Sequence, residues 1–310
     1  MNWIRNAIKQ LLEQLKRITD AIVLPGFSGL SLFKVGKHFW VSLTKGAVDI
    51  RAGAVAYSFF LAVFPTILFL FTLIPYIPVE GFQNELMNLL QSIMPQKIYS
   101  VVENTVLDIA SNKRGSLLSF GFIAALFFST NGVNTLIRTF NETINNFETR
   151  NWLERRAISL VILLIMSILI SVAIGLIIFS GKIMNILVSR GIFEDSFTIL
   201  ALDLGRWLVI VTFFYFAISF LYYLAPSRKA NFKFFSAGNT VATILGIVSS
   251  IGFSYYINNF SRYNTLYGSI GTLIILLLWF YINALVLLIG FELNASIHNA
   301  KKQHLENQSP

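Results

Sequence analysis

Six uncharged and mostly apolar runs dominate the chain, at 52–79, 115–137, 157–179, 207–225, 234–257 and 269–291. The shortest holds 19 residues and the longest 28. A helix needs about 20 residues to cross the ~30 Å hydrocarbon core of a bilayer. The pattern therefore predicts an all-α polytopic membrane protein with six transmembrane helices. The third and sixth runs carry long Leu/Ile stretches. The fifth is the most polar, with Asn239, Thr240, Thr243, Ser249, Ser250 and Ser254.

The remaining segments also show periodicity. Ile4, Ala7, Ile8, Leu11, Leu12, Leu15, Ile18 and Ile22 recur at three and four, bordered by Arg5, Lys9, Lys16 and Arg17. Residues 1–22 thus form an amphipathic helix, which either lies on the inner leaflet or packs against the ends of the spans. Lys34, Lys37, Phe39, Trp40 and Lys45 make an interfacial lead-in to the first span. In the outer loop 80–114, Glu85, Leu86, Leu89, Leu90, Ile93 and Met94 begin one helical pattern. Val101, Val102, Val106, Leu107 and Ile109 continue another beyond Pro95. The predicted layout is an amino-terminal cytoplasmic or interfacial segment, 1–50, a six-helix transmembrane domain, 51–292, and a cytoplasmic tail, 293–310. No internal repeat supports an inverted-repeat transporter.

Composition narrows the class. Apolar residues make up 55% of the chain, charged residues 13%, and mean hydropathy is +0.67. Such a chain is not a water-soluble enzyme, a disordered chain or a nucleic-acid-binding domain. There is no cysteine, so disulfides, thiolate nucleophiles and Cys-bound metals are excluded. His38, His298 and His304 lie outside the apolar runs and show no metal-ligand spacing. Neither a metal nor a cofactor is expected, and no secretory signal is expected at the start. Net charge is +9. An even number of crossings puts both termini on one side, and 17 of the 24 Lys and Arg residues fall on that side. The positive-inside rule then places both termini in the cytoplasm.

Polar groups inside the spans are the candidate site. Arg51 opens the first span, with Ser58 and Pro65 further in. Pro65 lacks an N–H, so it is a candidate hinge or a tolerated kink. Asn131, Asn134, Thr135 and Arg138 share a helical face in the second span, extended by Asn141 and Glu142. That stripe either lines a cavity or bonds neighbouring helices. Glu292, with Asn294, ends the sixth span at a depth similar to Arg51 and Arg138. One Arg–Glu pair forms a latch there, and the second Arg is left to meet an anion. Gly238, Ala242, Gly246, Ser250 and Ser254, each four apart, predict a packing seam or, more boldly, a sliding surface. Gly268-Ser269-Ile270-Gly271 opens the sixth span, either as a tight turn or as a source of N–H groups for an anion. Asn283 is expected to bond a neighbouring helix, and Asp203 to pair with Arg206. No Asp or Glu lies inside the runs, which disfavours proton coupling and leaves border Glu292 as its sole candidate.

Three stretches resemble the YihY/BrkB family of bacterial inner-membrane proteins. The first is Arg51-Ala52-Gly53-Ala54-Val55-Ala56-Tyr57-Ser58-Phe59-Phe60, continuing to Phe64-Pro65. The second is Asn131-Gly132-Val133-Asn134, leading to Phe140-Asn141. The third is Tyr267-Gly268-Ser269-Ile270-Gly271, followed by Leu277-Leu278-Trp279-Phe280-Tyr281 and Gly290-Phe291-Glu292-Leu293-Asn294. Together they span about residues 40 to 295. The resemblance implies six helices, cytoplasmic termini and an inner-membrane location. Members have been linked to serum resistance, envelope lipid export and solute transport, and some once carried a ribonuclease BN label. This sequence has no His/Asp cluster that would activate water on a phosphodiester, and no enzyme is expected. The expected function is a transporter or lipid-handling protein, exporting or flipping an anionic lipid or solute. Arg51 or Arg138 would meet the anion, with Asn131 and Asn134 as donors. The alternative is a non-catalytic membrane scaffold or envelope-integrity protein. Membrane lipids are the expected partners, and nucleic acid is not.

Overall fold

The structure is a computed structural model of the chain. It describes residues 19–76, 108, 112–143, 150–189, 196–227, 234–259 and 261–306, of which 177–189, 196–203, 258–259 and 261–270 as backbone only. All regular structure among these residues is helical. The elements are α1 (Leu32–Lys45), α2 (Val48–Leu73), α3 (Gly115–Thr143), α4 (Trp152–Ser189), α5 (Ser196–Leu224), α6 (Ala237–Asn259) and α7 (Ser261–Glu306). A 3-10 turn, Ile74–Tyr76, extends α2. The six helices after α1 each contain a stretch long and apolar enough to cross a membrane. The amphipathic helix expected at 1–22 lies outside the described residues up to residue 18, as does most of the outer loop 80–114.

Local chemistry sets the helix ends. The Ser31 hydroxyl accepts from the Lys34 N–H at 3.4 Å and starts α1. The Gly46 N–H donates to the Ser42 carbonyl at 2.8 Å and ends it. A Cβ on Gly46 would strike that carbonyl. Ala47 then adopts a left-handed conformation, φ 46°, and turns the chain into α2. Asn151 and Glu154 form a reciprocal capping box at the start of α4, with bonds of 2.8 and 3.2 Å. α2 runs without interruption through Pro65, where the Thr66 hydroxyl donates to the Ala62 carbonyl at 2.7 Å.

Each membrane helix packs on the next, and α7 returns to α2, so the six close a circuit. α7 also touches α3 across it, and α1 lies along α7. Burial concentrates at the end of the circuit where Asp20 and His304 line one cleft, called here the terminal end. Phe140, Tyr222 and Phe291 meet there, from α3, α5 and α7. Phe140 and Phe291 stack at 4.1 Å, and Tyr222 meets both edge-on at 5.5 and 5.4 Å. The Tyr222 hydroxyl donates to the Leu287 carbonyl at 2.6 Å.

The last helix differs from the sequence expectation. α7 has 46 residues, about 69 Å at 1.5 Å per residue. Residues 293–306, expected in a tail, are its continuation, and Leu293, Ile297 and Ala300 bury against Phe27, Leu30 and Val35. Gly268–Gly271 lies inside this helix, which starts at Ser261, so its N–H groups are not those of a helix start. Asn283 donates to the Trp279 carbonyl of its own helix at 2.8 Å, not to a neighbour.

The row of small residues on α6 divides. Gly238 and Ala242 abut Gly290 of α7, and Gly246 abuts Phe214 of α5. Ser250 and Ser254 are exposed and line a shallow groove with Trp279. The seam therefore ends at Gly246. At Gly290, a Cβ would sit 2.6 Å from Ala242 Cβ, the Gly238 carbonyl and Tyr222 Oη. At Gly175 it would meet nothing within 4 Å. Gly290→Ala is expected to cost about 1–3 kcal/mol by overpacking, seen as a lower thermal unfolding midpoint in detergent. Gly175→Ala should leave the midpoint unchanged or raised. Equal midpoints would show that the α6–α7 contact has slack.

Candidate functional site

Polar side chains converge at the terminal end from four elements. Arg51 sits in the first turn of α2, just after the Gly46–Ala47 junction. It is 8% exposed, and Glu292 of α7 is 1% exposed. The Arg51 Nη2 donates to Glu292 Oε1. Nη1 donates to the Thr139 carbonyl at 3.0 Å and to the Thr143 hydroxyl at 2.7 Å. The Thr143 hydroxyl donates in turn to Glu292 Oε1 at 2.9 Å. Ser42 of α1 donates to Glu292 Oε2. The pair is thus a buried lock joining α1, α2, α3 and α7.

A cleft of about 320 Å³ opens against this lock, and His38, Lys45, Glu142 and Ser296 stand on its walls beside Arg51 and Glu292. Two wall residues keep a buried polar atom without a partner among the described residues, Arg51 Nε and Ser296 Oγ. Buried polar groups are otherwise almost always hydrogen-bonded. Both atoms are donors sealed just behind the cleft wall rather than on its open face.

The structure brings Arg51 and Glu292 together and leaves the other three candidates apart. Arg138 is exposed and has no partner among the described residues. Asn131 and Asn134 are half-buried, and Asn134 Oδ1 is buried without a partner. None of the three is on the cleft wall. The cause is the rotation of α3: Val133, Leu136, Ile137 and Phe140 claim its inward side. The polar stripe falls beside that face, where Thr135 and Ser58 of α2 meet at 3.1 Å. The side chain of Asp203, expected to pair with Arg206, lies outside the described side chains.

Sequence reasoning missed a second polar hub on the far side of α7. The Asn239 amide donates to Ser219 at 2.8 Å and to the Phe234 carbonyl at 2.7 Å. Its oxygen accepts from Ser236 at 2.6 Å and from Asn294 at 3.1 Å. Asn294 Oδ1 accepts from the Gly238 N–H at 2.8 Å. Thr139, Thr143 and Ser42 were missed as well. Their only sequence signal is placement near helix ends, one turn from residues that were flagged.

The chain belongs to the family described as Virulence factor BrkB, which matches it over residues 39–310. It is 33% identical over 257 residues to the ribonuclease-like protein YfkH of Bacillus subtilis (strain 168), covering 83% of this chain and 92% of that relative. It is 27% identical over 278 residues to a UPF0761 membrane protein of Haemophilus influenzae (strain 86-028NP), covering 88% and 98%. A UPF0761 membrane protein of Idiomarina loihiensis is 28% identical over 207 residues, 66% of this chain and 69% of that one. No solved structure matches. The chain is an integral membrane protein of this family.

The lock makes a specific energetic prediction. Glu292→Leu leaves the Arg51 charge buried without its counter-charge, at an expected cost of about 3–5 kcal/mol. The joint replacement Arg51→Met with Glu292→Leu is expected to cost less than either single change. Unfolding midpoints of the three variants in one detergent give the comparison. Additive costs would mean that the two side chains do not act as a unit.

Proposed function

We propose that this BrkB-family protein is a non-catalytic transporter or lipid-handling protein that exports or flips an anionic lipid or anionic solute. It sits in the inner membrane of a bacterium with both termini in the cytoplasm. One observation carries the reading: among the described residues Arg51 Nε and Ser296 Oγ are buried without partners in the wall of the polar cleft. Both are donors, and a phosphate or carboxylate oxygen would accept from them once the wall shifts to uncover them. Lys45 on the same wall offers a further donor, whereas His38 is engaged by Gln303 at 3.0 Å. Glu292 already neutralises Arg51, so the cleft is not a bare cationic trap from which an anion could not leave. Arg138, exposed at the same end, draws anionic headgroups toward it. The Phe140–Phe291 stack bridges the circuit from α3 to α7 nearby, and passage of cargo requires it to part.

The orientation rests on the 17 Lys and Arg residues of the terminal side against seven on the other. The chain has no cysteine, so single-cysteine variants report without background. In intact cells, an impermeant maleimide is expected to label Lys113→Cys and to spare His304→Cys. The reverse pattern would invert the topology.

Function is read as flux. Vesicles containing the protein and a trace of fluorescent phosphatidylglycerol are expected to lose more signal to dithionite than empty vesicles. A parallel set loaded with an anionic dye tests the solute arm. Ser296→Ala removes the buried donor without adding volume and should slow the active arm severalfold at an unchanged or raised unfolding midpoint. Wild-type vesicles no faster than empty ones in both arms would remove transport and leave the scaffold reading.

A further inference from the structure

A second cavity, of about 690 Å³, lies at the terminal end on the opposite face of α7. Its frame is built, not incidental. Residues 24–30 fold over α7 as a pair of turns, with Phe27 N–H donating to the Leu24 carbonyl at 3.1 Å and Leu30 N–H to the Phe27 carbonyl at 3.0 Å. Phe27 and Leu30 are pinned in the apolar cluster with Leu293, Ile297 and Ala300. Gly26 has φ +90°, and a Cβ there would sit 3.3 Å from the backbone nitrogen of Ala237, so the loop is pressed onto the start of α6.

The walls have two chemistries. Lys301 and Lys302 supply positive charge, and no Asp or Glu is among the lining residues. Lys301 has no partner among the described residues, and Lys302 meets Glu306 only at 3.9 Å with both side chains largely exposed. His298 lies beyond the apolar run of α7. Burial, and then the ammonium groups of Lys302 and Lys301, hold its imidazole below the usual range. The rest of the lining mixes polar Ser28, Ser236 and Asn294 with Leu24, Phe235 and Leu305, which are exposed large hydrophobics. The cavity begins at Asn294, three residues past the run 269–291, on the headgroup and water side of that run.

We propose that this pocket binds an anionic membrane phospholipid, its phosphate held by Lys301 and Lys302 and its acyl chain laid against Phe235 and Leu24. Basic side chains beside exposed apolar surface at the bilayer edge suit a charged amphiphile better than a small soluble anion. The site shares no lining residue with the cleft beside Glu292 and does not require transport.

Native mass spectrometry of the full chain in a mild detergent, titrated with phosphatidylglycerol, tests it. A discrete lipid adduct is expected for the wild type. Lys301→Gln with Lys302→Gln should weaken it about fivefold for each lysine removed, without moving the unfolding midpoint. Lys301→Arg with Lys302→Arg should keep it. Phosphatidylethanolamine with the same tails should bind no better to the wild type than phosphatidylglycerol does to the glutamine variant. Inorganic phosphate at the lipid concentration should not compete. Ser296→Ala should leave the adduct intact, since it touches only the cleft. The proposal is overturned by no adduct, by unchanged affinity in the glutamine variant, or by equal binding of the two lipids. Competition by inorganic phosphate would make this a soluble-anion site. An adduct lost with Ser296→Ala and kept with the glutamine pair would belong to the cleft.

Discussion

The carboxylate of Glu292 is the point on which the arrangement of helices turns. A carboxylate 1% exposed costs several kcal/mol or more to bury, roughly, unless donors replace its water. It receives three, from Arg51, Thr143 and Ser42, and each comes from a different helix. α7 cannot slide along α1, α2 or α3 without stripping one of them away. The Gly46–Ala47 junction matters for the same reason. It places Arg51, nine residues after Ser42, where both can reach a single side chain on α7. The closing contact of the circuit, α7 on α2, is thereby fixed by charge compensation as well as by shape.

Shape supplies the rest, because lipid tails are as apolar as leucine and give helices no hydrophobic reason to associate. Close approach has to come from missing side chains and matched polar groups. Gly290 meets Gly238 and Ala242 where α6 and α7 cross. The Asn239–Asn294 hub satisfies the amides beside that crossing. The aromatic trio of Phe140, Tyr222 and Phe291 fills the space between the hub and the lock. Elsewhere the surface is what a bilayer would solvate: Leu164, Ile168 and Ile170 on α4 and Leu204 and Leu208 on α5 are exposed. The bundle is tied at one end and lipid-facing along its flanks.

How much of this was legible follows from how directly each feature is set by the bilayer. Hydrocarbon thickness dictates run length, so the six spans could be counted from the sequence. Depth follows from counting, so Arg51 and Glu292 could be placed at one level. Which arginine meets Glu292 could not, because that depends on the rotation of α3. The signal lay in the apolar side of the same helix: Val133, Leu136, Ile137 and Phe140 bury together, which turns Arg138 outward. The extension of α7 was written in Leu293, Ile297 and Ala300, spaced by four and three, but charged and polar neighbours made it resemble a tail. Asn283 met its own backbone because a carbonyl one turn back is always within reach, whereas a partner helix must be supplied by the fold.

α7 carries two opposed faces past the membrane, and that geometry relates the two cavities. Residues 292, 296 and 299 lie on one side of the helix, and all three line the cleft with the lock. Residues 294, 298, 301 and 305 lie on the other, and all four line the lysine pocket. Asn294 also belongs to the hub that fixes α6, so the pocket wall and the α6–α7 crossing share a residue. A helix is stiff over four turns, so a rotation that opened one face would close the other. An anionic lipid seated against Lys301 and Lys302 would oppose rotation of α7 and so hold Glu292 in register with Arg51. The surface site and the lock would then be coupled through one rod, with no contact between them.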